Sequence, residues 1–66
     1  MSIQEDFAML MAVFTAECIA IAESIESKAE AIGQMASKAN EIFSASVRTQ
    51  ENVDAVKSVI QLVLME

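Results

Sequence analysis

Two interleaved sets of apolar residues run the length of this chain at a spacing of seven. Every seventh residue from Met11 gives Met11, Cys18, Ile25, Ile32, Ala39, Ser46, Val53 and Ile60, and only Ser46 breaks the pattern. Every seventh residue from Phe7 gives Phe7, Phe14, Ile21, Lys28, Met35, Ile42, Thr49, Val56 and Val63, broken by Lys28 and Thr49. The two sets are offset by three or four residues, the a/d geometry of packed or coiled-coil helices. Strands would need turn residues between short segments, and this chain has no proline and a single glycine. The expected fold class is all-α.

A third set, Ala8, Thr15, Ala22, Ala29, Ala36 and Phe43, widens the seam with mostly small residues. A broad stripe of this kind suits close antiparallel helices or a bundle better than a narrow two-stranded zipper. The run Phe7–Ala22 is interrupted only by Thr15 and Glu17, and Met9, Val13, Ile19 and Ala20 lie off the seam. A helix apolar on every side belongs inside something.

Ser2-Ile3-Gln4-Glu5 fits a capping box, so helix is expected within the first five residues. Gly33, at the middle of the chain, marks the expected turn, because glycine costs about 1 kcal/mol in a helix interior and readily closes a helix. The expectation is therefore a two-helix antiparallel hairpin, about 3–31 and 35–65, that oligomerises into a helical bundle. The seam passes through Gly33 in phase, however, which one long coiled-coil helix would also show. A third possibility is a turn in the polar stretch 44–52, with a short final helix from Asn52.

Sixty-six residues allow one domain, 1–66, near the lower size limit for independent folding. One cysteine excludes an internal disulfide, and without histidine there is no Cys/His zinc site. Hydrophobic residues nevertheless make up 55% of the chain. A single small copy cannot hide that much apolar surface, so the excess points to another chain or to lipid.

Charge narrows the partners. The net charge is −6, with six acids against Lys28 in residues 1–33 and four acids against Lys38, Arg48 and Lys57 in residues 34–66. Nucleic-acid binding needs cations to neutralise phosphates, so no nucleic-acid partner is expected. No Lys or Arg precedes Lys28, so the positive start of a secretory signal is missing. The 16-residue apolar run, with Glu17 inside it, falls short of the roughly 20 residues of a bilayer span. A cytoplasmic location is the expectation, with signal-independent export left open.

The candidate chemistry is thin. Cys18 sits on the seam beside Glu17, away from the basic surroundings that activate thiols, and reads as a buried core thiol. Glu23, Glu26 and Glu30 read as a solvated acidic face, since carboxylate-bridged metal bundles also use histidine. Glu17 reads as partner-facing or as rim. Five methionines offer an adaptable contact surface or simple core filling. Lys28 and Thr49, polar at seam positions, either set register or mark exposed edges. No nucleophile–base pair, phosphate loop or cofactor motif is present.

No enzymatic activity, cofactor or metal is expected. The expected function is helix–helix association, either self-assembly or capture of a partner helix, as in a small assembly subunit, adaptor or chaperone. Its interface would comprise Phe7, Met11, Phe14, Cys18, Ile21, Ile25, Ile32, Met35, Ile42, Val53, Val56, Ile60 and Val63. In general form alone, a short acidic helical hairpin with an over-apolar first arm resembles small secretion-apparatus subunits, their chaperones and small helical regulators. Two alternatives remain: insertion of residues 7–22 into a membrane, and acidic inhibition of another protein.

Overall fold

A computed structural model describes residues 3–65. The capping box expected of Ser2 and Glu5 rests on Ser2, which lies outside the described residues. Three α-helices follow one another: α1 (Ile3–Ser24), α2 (Lys28–Ile42) and α3 (Gln50–Met65), with a single 3₁₀ turn at Ala45–Val47 before the last. The all-α class is as expected. The boundaries are not.

Gly33 does not turn the chain. It lies inside α2, and neither the hairpin 3–31/35–65 nor the single long helix forms. The reason is energetic. A glycine in mid-helix costs about 1 kcal/mol, whereas breaking the helix there would separate Ala31 from Met35, which are one helical turn apart and both buried.

The chain turns where side chains can take over orphaned backbone groups. At the first turn, α1 ends on an Ile25 N–H donating to the Ile21 carbonyl at 3.0 Å. Ser27 then caps α2, its hydroxyl accepting from the Glu30 amide at 3.3 Å. Ser27 to Glu30 has the S-x-x-E spacing of a capping box, and it is this pattern, rather than the glycine, that locates the turn.

The second turn falls in the polar stretch, as the third sequence possibility allowed. Arg48 closes α2: its Nε and Nη2 donate to the Phe43 carbonyl at 3.0 and 2.7 Å, and Nη2 also donates to the Asn40 carbonyl at 3.2 Å. A cation at a helix C-terminus also suits the helix dipole. Thr49 caps α3 by accepting from the Asn52 amide at 3.2 Å, and the Asn52 side chain donates to the Val47 carbonyl at 2.7 Å.

The core is small: Phe14, Cys18, Ala31, Met35, Phe43 and Val47 are buried. Phe43, in the connection between α2 and α3, sits against two rings of α1. Its ring centre lies 5.4 Å from that of Phe7 and 5.5 Å from that of Phe14, the latter pair edge to face, within the favoured range for aromatic pairs. A residue that merely flanks the seam in sequence thus joins all three segments. No residue of α3 is fully buried. That helix covers the core with half-buried Val56, Val59, Ile60, Val63 and Leu64.

Candidate functional site

The seam expected to meet a partner is largely occupied within the chain. Phe14, Cys18 and Met35 are fully buried. Phe7, Met11, Ile21, Ile25, Ile42, Val56, Ile60 and Val63 pack around them, and Val53 is half-buried. Ile32 is the exception, 46% exposed. The three non-helical residues between α1 and α2 reset the helical phase, so Ala31 takes the inward position that an unbroken heptad assigns to Ile32.

What remains outside is the back of α1. Ala8, Met9, Ala12, Val13, Ala16, Ile19 and Ala20 are all exposed and all apolar. The three large ones show substantial surface: Met9 65%, Val13 52% and Ile19 48%. Every fourth residue from Ala8 to Ala20 is alanine, which lays a shallow furrow along the helix between the larger side chains. Thr15, the only hydroxyl in the middle of α1, donates its Oγ1 hydrogen back to the Met11 carbonyl at 2.7 Å and so presents no unpaired donor there. Sequence periodicity missed this face as a distinct surface because residues 7–22 are apolar all round, and only packing against α2 separates front from back.

Glu17 lies half-buried at the flank between the two faces. Its charge, after burial itself, helps push the Cys18 thiol above its ordinary pKa, which keeps the sulfur protonated and unreactive. Among the described residues, no three carboxylate or thiol groups converge to hold a metal ion. Glu23, Glu26 and Glu30 are exposed.

Residues Asp6–Ser24 have a mean hydropathy of 1.6, and only 11% of their apolar window is buried. By length and composition this helix could cross a bilayer, so the shorter 16-residue run counted from sequence understates it. The core helix of a soluble protein meets the same measure.

A second concavity lies between α2 and α3. A cleft of about 330 Å³ is walled by Ala36, Ala39, Phe43, Val53, Val56 and Ile60, with Phe7 of α1 at its side. Asn40, Arg48, Asn52 and Lys57 stand among its lining residues. Comparison with protein-family models, with curated proteins and with solved structures finds no match to this chain.

Proposed function

We propose that this protein is a non-enzymatic assembly module that pairs with a second copy of itself through the back of α1. The observation that carries this reading is the uninterrupted exposed apolar face from Ala8 to Ala20. Exposed contiguous apolar surface of this kind marks association sites.

The face is self-complementary under a two-fold axis, the commonest symmetry of homo-oligomers. With two α1 helices antiparallel and centred on Phe14, Ala12 of one copy meets Ala16 of the other, and Met9 meets Ile19. Small residues then let the helices approach while the large ones fill the flanks. The face carries no charge of its own, so two acidic chains can join there without apposing carboxylates at the centre.

Light scattering on the purified chain at micromolar concentration tests this. A particle of twice 7.1 kDa is expected, and Ala16→Glu should return it to a monomer of unchanged helicity. A folded wild-type monomer at that concentration would rule the reading out. Insertion of α1 into lipid is the second reading, favoured by its length and hydropathy. Against it, Glu17 sits near mid-helix, where a bilayer penalises charge by a few kcal/mol. Flotation with neutral phosphatidylcholine vesicles separates the two: the dimer stays in the aqueous fraction.

A further inference from the structure

We infer that the cleft between α2 and α3 binds a small amphipathic anion, a single-chain alkyl carboxylate, with its tail among the cleft's apolar walls and its head at Arg48 and Lys57. This is independent of the α1 face and of pairing there.

The walls set the first half of the ligand. Ala36 and Ala39 are the small residues that α2 contributes to the cleft, and Phe43, Val53, Val56 and Ile60 line it without filling it. Water in such a groove gains few hydrogen bonds, and an apolar chain displaces it favourably. The volume, about 330 Å³, lies at the small end of ligand sites, which run from roughly 300 to 1,000 Å³. That volume suits one alkyl chain rather than a partner helix, whose diameter with side chains is about 10 Å.

Charge sets the second half. The chain has four cations and ten acids, yet two cations and no acid line this cleft. Arg48 is held in place by its bonds to the Phe43 and Asn40 carbonyls through Nε and Nη2. Its Nη1 makes no hydrogen bond among the described residues, and Lys57 is in no ion pair among them. One guanidinium edge and one ammonium offer a donor to each of two oxygens, the number a carboxylate supplies. Asn40 adds a neutral side-chain amide to the lining.

Titration of ¹⁵N-labelled protein with dodecanoate, kept below its micellar concentration, tests the proposal. Saturable amide shifts are expected at Ala36, Ala39, Val53 and Val56, and dodecyltrimethylammonium should produce none at these positions. Lys57→Gln should weaken dodecanoate binding about tenfold, the order expected for a lost charge-assisted bond, while leaving dodecanol binding unchanged. Lys57 is exposed and outside the core, so this variant keeps the fold. Ala36→Leu, which fills the groove, should abolish binding of both the carboxylate and the alcohol. Equal binding of the cationic and anionic amphiphiles would overturn the proposal, as would shifts confined to Met9, Val13 and Ile19 or dodecanoate binding that survives Ala36→Leu.

Discussion

At Gly33 a side chain has room to grow. A Cβ built there meets nothing within 4 Å, and the residue sits in regular helix without a positive φ. Gly33→Ala should therefore raise stability by about 0.5–1 kcal/mol, through reduced freedom of the unfolded chain and better helix propensity. Urea denaturation checks this; a loss of stability would mean that the backbone bends at Gly33 after all. Cys18 makes a prediction in pH. Burial, aided by the charge of Glu17, raises its pKa in the fold, so the native state holds the thiol proton more tightly than the unfolded chain does. Stability contributed by this group is complete below the ordinary thiol value of roughly 8.5 and is lost as pH rises from there through the raised native pKa. Urea midpoints between neutral and alkaline pH should show that decline, and Cys18→Ala should reduce it. An undiminished slope in the variant would assign the effect to other groups.

Among elements, α3 is the least anchored, with no fully buried residue and with exposed Leu62 and Met65 near its end. Native-state hydrogen exchange should find its amides opening at lower free energy than those around Phe14 in α1 or Met35 in α2. Equal protection in all three helices would show that they open as one unit. The two turns are the instructive comparison with sequence. All three polar lapses in the heptad seam fall at helix boundaries: Lys28 opens α2, Ser46 lies in the 3₁₀ turn, and Thr49 caps α3. They were legible as interruptions of the seam, and Ser27–Glu30 was legible as a capping box. Glycine drew the turn to Gly33 because its helix penalty is a local property. The cost of separating Ala31 from Met35 is visible only when both are known to face the same core.

For the molecule as a whole, the proposed pairing through α1 would bring together two chains of charge −6. Its apolar contact would be opposed by long-range repulsion, which salt screens over about 10 Å at 0.1 M. The proposed dimer should therefore tighten as sodium chloride rises from about 0.05 to 0.5 M, measured by sedimentation equilibrium. Weakening with salt would indicate an interface held by ion pairs and exclude the back of α1. The apolar period by itself determined the helical class and the grouping of Phe14, Cys18 and Met35 on one seam, because a helix repeats its faces from local geometry alone. It also determined that residues 7–22 carry more apolar surface than one face can use. Which side of α1 faces inward, the displacement of Ile32 by Ala31, and the meeting of Arg48 and Lys57 at one cleft were decided by tertiary structure. Each depends on where the chain breaks its helices, and those breaks arise from the balance between capping and shared burial, which no single stretch of sequence contains.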